Sequence, residues 1–295
     1  MAVVKHDLVP RAVAKARRTI YPRLPAPVIE YGRIARLLAR SAPMTVRGYR
    51  FGSDVHPADL PPASPDVDEE PNALRSYFEA HREGRGIWKG RHYFDIYVRH
   101  LAQFVDREVV VVEVGVHSGG SLEMWKHYFG ERATIHGVDI QEACRVYEGD
   151  GVRIHIGDQG DRAFWSRFKE EVPFIDVLID DGGHHPDQMR VTFEELFPAM
   201  RPGGVYICED IVSNAFLAYL SGLAEHLTTY TNTLAEPGVA RGMPRPEAGV
   251  ASAADSLQQA VRSIHLYPFL AVVERTPEPV TDFQFPMYGS EWQPF

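Results

Sequence analysis

The feature that most constrains the fold is the run Val-Val-Val-Val-Glu-Val-Gly-Val-His-Ser-Gly-Gly-Ser at residues 109–121. A continuous run of valines is typical of a strand buried on both faces of a parallel sheet. The glycines that follow let the backbone turn sharply and come close to a ligand. Because residues 122–129 have helical composition, the run predicts a strand, a glycine turn and a helix, which is how a nucleotide-binding α/β unit begins.

The spacing of the glycines indicates which ligand this turn does not bind. Gly115, Gly119 and Gly120 do not form the G-x-G-x-x-G pattern that binds the pyrophosphate of a dinucleotide. Glu113 stands at the end of the strand instead, and an acid at that position suits a ligand without phosphates. The pattern alone is equally compatible with a tight turn that only serves packing.

Strands and helices then alternate along the chain, which predicts an α/β fold with a doubly wound, Rossmann-like parallel sheet. We expect five such strands and two closing ones, with the last hairpin antiparallel, at residues 109–113, 134–138, 152–156, 175–179, 205–208, 262–267 and 269–275. Predicted helices lie at residues 72–83, 93–104, 122–129, 161–169 and 192–200. Ligands bind at the carboxyl ends of the strands in such sheets.

Acidic residues follow the predicted strands at this edge, namely Glu113, Asp139, Asp158, Asp181, Glu209 and Asp210. Asp139 lies 24 positions beyond Gly115, close to where an acid binds ribose hydroxyls in nucleotide-binding units. Asp158 could reach the exocyclic amine of an adenine. Adenosine recognised by acids, with no site for a pyrophosphate, favours S-adenosylmethionine over NAD as the cofactor.

Length and charge suggest a main domain with a basic extension. The 295 residues allow one sizeable α/β domain, which we place at residues 72–295, after a helical N-terminal arm and Pro-rich linker at residues 1–71. The net charge is −9, yet residues 1–50 hold eleven Lys or Arg and two acids. We expect this arm to serve homo-oligomerisation or to dock on the domain, and not to bind nucleic acid, because it lacks a recognisable nucleic-acid motif.

The remaining segments give weaker indications. Amphipathic helices are expected at residues 8–20 and 28–38, a linker at 52–71, a mobile loop or lid at 235–255, and a surface tail after Thr276. Trp88, His92, Tyr93 and Tyr97 could cover a ligand pocket, although core packing is commoner for such a cluster. Two cysteines, no secretory signal and no apolar run of about 20 residues predict a cytoplasmic protein without a transmembrane segment.

Several motifs together resemble those of the class I methyltransferases, and over about residues 85–275 the chain is similar to the metal-dependent sugar O-methyltransferases of the macrocin and mycinamicin type. The motifs are Glu113-Val-Gly115, Gly137-Val-Asp139, Gly157-Asp158-Gln159, Ile179-Asp180-Asp181-Gly-Gly-His184, and the segment from Arg201 to Glu209-Asp210. The resemblance implies a cofactor site formed by Glu113, Gly115, Ser118, Gly119, Ser121, Asp139, Asp158, Gln159 and Asp181. It also implies that Asp181, Glu209 and Asp210 bind Mg²⁺ or another divalent cation, with His184 as the general base.

Two ambiguities concern which of two adjacent residues acts. The D-x-x-H spacing of the family selects Asp181 with His184, whereas Asp180 with His185 fits it less well. A polar turn after a strand is the alternative to a metal site here. The chain departs from the family pattern in its arm and linker and in the 235–255 loop, where acceptor specificity is usually set.

The resemblance implies an O-methyltransferase acting on a sugar hydroxyl of a glycosylated natural product, as in antibiotic biosynthesis. A different hydroxylated acceptor is the alternative: a cell-surface glycan, a catechol or a β-lactam intermediate. An NAD-dependent oxidoreductase is disfavoured by the missing glycine pattern, and a non-catalytic scaffold is disfavoured by the intact set of acids and histidine.

Overall fold

A computed structural model of the chain describes residues 26–55, 72–228 and 252–283. The chain divides into two compact units, Met1–Glu69 and Glu70–Phe295. Helix α1, Ala26–Asp54, is the described part of the first unit and contains Pro43. The helix predicted at 28–38 is therefore part of a longer one that extends into the predicted linker, while the helix predicted at 8–20 lies outside the described residues.

A seven-stranded sheet forms the centre of the second unit. Its strands are β1 Val110–Val114, β2 Thr134–Asp139, β3 Val152–Ile156, β4 Ile175–Asp180, β5 Met200–Cys208, β7 Val261–Tyr267 and β8 Leu270–Arg275. Their order across the sheet is β3-β2-β1-β4-β5-β8-β7. The pairs among β1 to β5 are parallel, and β8 is antiparallel to both β5 and β7. This confirms the predicted Rossmann-like sheet with an antiparallel last hairpin.

Helices cover both faces of the sheet. They are α2 Ala73–Ala80, α3 Tyr93–Leu101, α4 Gly120–Phe129, α5 Arg162–Glu171, α6 Pro186–Leu196, α7 Asn214–Leu227 and α8 Ser256–Ala260. The helix predicted at 192–200 was wrong in its bounds, because Pro186 is well suited to the first turn of a helix and starts it earlier. A short 3₁₀ turn, Phe197–Ala199, follows it and leads into β5. In the described parts of the chain, no helix is both long and apolar enough to cross a lipid bilayer.

Two apolar clusters, one on each side of the sheet, form the core. Successive side chains of a strand point to opposite faces, so Val111 and Val112 of β1 belong to different clusters. The first cluster packs β1 against α3 and α4, with Tyr97 and Trp125 fully buried. The second packs the opposite face against α5, α6 and α7. A sheet covered on both faces explains why its strands are uninterrupted apolar runs.

A small second sheet closes the C-terminal part of the unit. Strands β6, Ser252–Ala253, and β9, Asp282–Phe283, pair antiparallel. Asp255 then caps α8 through a capping box with Gln258. The loop predicted at 235–255 was therefore wrong over its last residues, while residues 229–251 lie outside the described part of the chain.

Candidate active site

A cavity of about 740 Å³ lies at the carboxyl ends of β1, β2, β3 and β4, within the usual size range for a small-molecule site. Seven of the predicted cofactor-binding residues line it: Gly115, Ser118, Ser121, Asp139, Asp158, Gln159 and Asp181. Of the predicted metal and catalytic residues, Asp181, His184 and Asp210 also line it. Glu113, Gly119 and Glu209 are not among the lining residues.

The glycine turn after β1 has to be glycine for steric reasons. Gly115 has φ +93°, and a Cβ at this position would lie 2.0 Å from the carbonyl oxygen of Asp181. Gly119 has φ +76°, and a Cβ there would lie 2.7 Å from the ring of Tyr147. The turn therefore brings bare backbone up to the neighbouring strand end, and Gly119 shapes the site by making room for Tyr147.

Asp139, at the end of β2, holds this turn together. One carboxylate oxygen accepts hydrogen bonds from the backbone amides of Val116 and His117, each at 3.0 Å. The other accepts one from the amide of Gln141 at 2.8 Å. Asp139 thus lines the cavity and also fixes the loop beside it. The sequence had predicted only a contact of Asp139 with ribose, so this structural role is additional.

Asp158 and Gln159, which follow β3, have different roles. Asp158 is exposed and accepts a hydrogen bond from the amide of Gly160. Gln159 is buried, and its amide group donates to Asp180 Oδ1 at 3.0 Å and to Thr192 Oγ1 at 3.1 Å. Its Oε1 accepts from the amide of Gly183 at 2.7 Å. Gln159 therefore fixes the turn that follows β4, while Asp158 is free to face a ligand.

Glu113 is fully buried and has internal partners. Its carboxylate accepts hydrogen bonds from Ser121 Oγ at 2.8 Å, Trp125 Nε1 at 3.0 Å and Lys89 Nζ at 3.3 Å. Burial raises the pKa of Glu113, while the charge of Lys89 opposes that rise. Glu113 was predicted to bind the cofactor, but it does not line the cavity. It contacts Ser121 and Lys89, which do line it.

The structure distinguishes the two adjacent aspartates after β4. Asp180 is buried and its carboxylate accepts from Gln159 and from Tyr206 Oη, and burial raises its pKa to about 6. Asp181 lines the cavity. His184 lines it too, whereas His185 is an exposed residue at the start of α6. The geometry thus places the predicted pair, and not its neighbours, at the cavity.

Lys89 lies at the centre of the acidic group and was missed by the sequence analysis. Its Nζ is 2.6 Å from Asp181 Oδ2, 3.0 Å from Glu209 Oε2 and 3.3 Å from Glu113 Oε1. Its side chain is only 2% exposed. Burial alone would lower the pKa of Lys89, but the three carboxylates raise it well above its ordinary value. The one feature of the sequence that could have pointed to Lys89 is its position next to Trp88, in the aromatic segment before the first strand.

Asp181, His184 and Asp210 form a cluster in which one donor atom of each lies within 4.8 Å of the others. His184 Nε2 is 4.0 Å from Asp181 Oδ1 and 3.9 Å from Asp210 Oδ2. Tyr93 Oη donates to the other oxygen of Asp210 at 2.6 Å. Two carboxylates and an imidazole thus meet at the cavity wall, with hard oxygen donors of the kind that Mg²⁺ prefers.

Glu209 does not join this cluster, so the predicted set of three metal-binding carboxylates is brought together only in part. Its Oε2 is held by Lys89; its Oε1 is buried and forms no hydrogen bond of normal geometry among the described residues, and the buried hydroxyl of Tyr97 interacts with the same carboxylate. Burial raises the pKa of Glu209. The left-handed backbone at Asp210, with φ +50°, directs its side chain to the cavity, while Glu209 faces Lys89.

Three residues beside the cavity have a left-handed backbone although none is glycine. They are His117 with φ +47°, His184 with φ +54° and Asp210 with φ +50°. Such a conformation costs about 1–3 kcal/mol for a residue with a side chain, and it persists where the surroundings enforce it, often at functional sites. Here it sets the direction of His184 and Asp210 toward each other.

Charge and donor chemistry show that the group fits a divalent cation. Three carboxylates, those of Glu113, Asp181 and Glu209, contact the ammonium of Lys89, and a fourth, Asp210, lies beside Asp181 and His184. Buried charge of one sign is costly unless it is paired. Asp181 and Asp210 could hold such an ion beside His184, with Glu209 joined to Asp181 through Lys89.

Comparison with known proteins finds that part of the chain is similar to methyltransferases. Residues 112–211 match the family described as "Methyltransferase domain". The chain is 34% identical over 205 residues to 8-demethyl-8-alpha-L-rhamnosyl tetracenomycin-C 2'-O-methyltransferase of Streptomyces olivaceus, covering 66% of this chain and 53% of that one. It is 40% identical over 124 residues to mycinamicin VI 2''-O-methyltransferase of Micromonospora griseorubida, covering 39% of this chain and 30% of that one.

A solved structure shares the fold. MycE, a methyltransferase from the mycinamycin biosynthetic pathway, in complex with Mg, SAH and mycinamycin VI, superposes with a TM-score of 0.53 and 27% identity. The match covers 70% of this chain and 53% of MycE. The chain thus spans about half the length, or less, of each of these three relatives.

Proposed function

We propose that this chain, whose residues 112–211 match the methyltransferase domain family, is an S-adenosylmethionine-dependent, Mg²⁺-assisted O-methyltransferase acting on a sugar hydroxyl of a glycosylated natural product. The observation that carries the proposal is that one cavity is lined both by the glycine turn with Asp139 and by the Asp181, His184 and Asp210 cluster. A donor site and a deprotonating site therefore share one space. The named activities of the relatives, which include sugar O-methylation in antibiotic pathways, support the choice of acceptor.

S-adenosylmethionine, when bound, supplies an electrophilic methyl group on its sulfonium. The chain provides the surface that orients it. Backbone at Gly115 is bare because a Cβ would clash with Asp181, and Asp139 and Asp158 border the same cavity at the ends of β2 and β3. We assign ribose binding to Asp139 and recognition of the adenine amine to Asp158.

Mg²⁺, when bound, would stabilise the negative charge that develops on the acceptor oxygen. We assign it to Asp181 and Asp210, with Glu209 as the third carboxylate. Tyr93 holds one oxygen of Asp210 and Lys89 holds one oxygen each of Asp181 and Glu209. The protein thus fixes every one of these carboxylates by a donor on a neighbouring element.

His184 is the proposed general base. A sugar hydroxyl stays protonated at neutral pH, so it needs a group that removes its proton as the methyl group is transferred. His184 Nε2 is about equally far from carboxylate oxygens of Asp181 and Asp210, 4.0 Å and 3.9 Å away. The imidazole thus stands at the cavity wall beside the residues assigned to the cation.

Trp88 is the proposed contact for the acceptor sugar. It lines the cavity next to Lys89, yet 90% of its surface is exposed. A large aromatic side chain left in solvent beside a cavity marks a binding surface. The flat face of the Trp88 indole suits the C–H face of a sugar ring. Its neighbour Lys89 is fixed by three ion pairs, so the backbone that carries Trp88 is held in place.

The assembly and location of the protein complete the proposal. We propose a cytoplasmic homo-oligomer that associates through its basic arm and binds no nucleic acid, since residues 1–50 carry eleven Lys or Arg against two acids in a chain whose net charge is −9.

The test is transfer of labelled methyl from S-adenosylmethionine to a panel of glycosylated polyketides, with their aglycones and a catechol as controls. Label on the sugar of glycosylated acceptors, and none on the aglycones, is the expected result. Label on catechol or aglycone alone would favour the alternative acceptor. A thermal shift with S-adenosylhomocysteine and none with NAD is expected as well, and the reverse would point to an oxidoreductase.

A further inference from the structure

Lys89 stands out because it is a buried cation that the transfer chemistry does not use. An ammonium group has three N–H donors, and three carboxylate oxygens lie within 3.3 Å of Lys89 Nζ. No donor is left for a substrate or for a proton transfer. Whatever Lys89 does, it does through the three acids that it contacts.

Two of those acids are proposed ligands of the divalent cation. Lys89 takes Oδ2 of Asp181 and Oε2 of Glu209, which leaves one oxygen of each carboxylate without this contact. The remaining oxygen of Glu209 is buried and forms no hydrogen bond of normal geometry among the described residues, with the hydroxyl of Tyr97 as the neighbouring group. The remaining oxygen of Asp181 is the one nearest to His184. Lys89 therefore holds each carboxylate at one oxygen and leaves the other oxygen to other partners.

The third acid, Glu113, connects Lys89 to the central sheet. Its carboxylate is fixed by Ser121 and Trp125, which belong to α4, and it lies at 0% exposure on β1. Lys89 thus connects the rigid start of the nucleotide-binding unit with the ends of β4 and β5, across 92 and 120 positions of sequence.

We infer that Lys89 is a positioning residue for the cation site: its ammonium holds Asp181 and Glu209 by one oxygen each and presents the other oxygens to a divalent cation. This inference rests on the proposed function. Partners that orient metal ligands commonly contribute about ten- to a hundredfold to metal affinity, and a salt bridge this deeply buried also affects folding when it is broken.

The test is titration of Mg²⁺ alone into the full-length wild-type chain and the Lys89→Met variant by calorimetry, with melting temperatures measured in parallel. The variant is expected to bind Mg²⁺ about ten- to a hundredfold more weakly. Lys89→Arg, which keeps the charge and the donors, is expected to recover part of that loss. A purely structural role would lower the melting temperature of Lys89→Met and leave its Mg²⁺ affinity unchanged.

Glu113 offers the matched control. Glu113→Gln removes one buried charge and keeps the contacts of Lys89 with Asp181 and Glu209, so its Mg²⁺ affinity is expected to fall by less than the roughly tenfold loss expected for Lys89→Met. If Lys89→Met does not fold, the double variant K89M/E113Q removes one uncompensated charge and should fold while still binding Mg²⁺ weakly.

The outcomes separate the two proposals. Wild-type chain that binds no Mg²⁺ would overturn the cation site and with it the role of Lys89. Wild-type chain that binds Mg²⁺ while folded K89M or K89M/E113Q binds it equally well or more tightly would overturn the role of Lys89 alone.

Discussion

Replacement of His184 by Asn is the sharpest test of the proposed chemistry. His184 has φ +54°, a conformation that Asn adopts readily, whereas Ala there would add a backbone penalty of about 1–2 kcal/mol. Asn keeps the fold and removes the base. Loss of a positioned base lowers the rate by about a hundredfold to ten-thousandfold, which corresponds to about 2.7–5.4 kcal/mol of barrier.

His185 supplies the control for the same substitution one residue later. It is exposed, has φ −87° and makes no capping hydrogen bond at the start of α6. Asn is a preferred residue at this position of a helix, so His185→Asn is expected to keep full activity and to melt at the wild-type temperature or slightly above it.

The assay is initial-rate transfer of labelled methyl at saturating acceptor, with the affinity for S-adenosylhomocysteine measured by calorimetry. His184→Asn should lose kcat and keep that affinity within about twofold, because a base acts on the transition state and not on the bound cofactor. A His184→Asn variant that keeps more than about a tenth of the wild-type kcat, or a His185→Asn variant that loses as much activity as His184→Asn, would rule out His184 as the base.

Three further predictions concern the ion, the acceptor and acid stability. Turnover is expected to stop in EDTA and to return with Mg²⁺ while S-adenosylhomocysteine still binds, and full activity in chelator would remove the ion from the mechanism. Trp88→Ala should raise the acceptor KM by about tenfold, as expected for a lost aromatic contact of about 1–1.5 kcal/mol, with cofactor affinity unchanged. An unchanged KM would exclude Trp88 as a contact of the acceptor sugar. Burial, and then the charges of His155 and Arg153, lower the pKa of His136 to about 4, so His136 is neutral in the fold but takes up a proton on unfolding below about pH 6.5. Its contribution to stability is therefore full above pH 6.5 and is lost as the pH falls toward 4; the free energy of unfolding, measured in urea at pH 7 and 5, should fall by about 2 kcal/mol from this group, and His136→Gln should reduce that slope, whereas an equal slope would contradict the assignment.

The sheet was predictable because its signals are local. Runs of β-branched residues that end in an acid or a glycine mark strands buried on both faces, and β3 has the predicted bounds. The helices were less exact, because their ends depend on packing and capping. Helix α1 continues through Pro43, which removes one hydrogen bond without ending the helix.

The sequence predicted the site residues only where they lie close together in one short segment. Asp181 and His184 stand three positions apart, and the turn that joins them brings both to the cavity. The contact of Lys89 with Glu209 spans 120 positions, and no periodicity in the sequence records it. The opposite directions of Glu209 and Asp210 likewise depend on the left-handed backbone at Asp210, which its residue type permits but does not require.

The segment just before the sheet contributes as much to the site as the strand ends do. Trp88 lines the cavity, Lys89 holds two of the proposed ligands, and Tyr93 holds Asp210. Carboxylates at neighbouring strand ends repel one another, so a sheet edge rich in acids needs donors from another element to keep them together. That requirement explains why a lysine is buried in a segment of aromatic residues, and why the acids of this edge can be understood only together with the residues that precede the first strand.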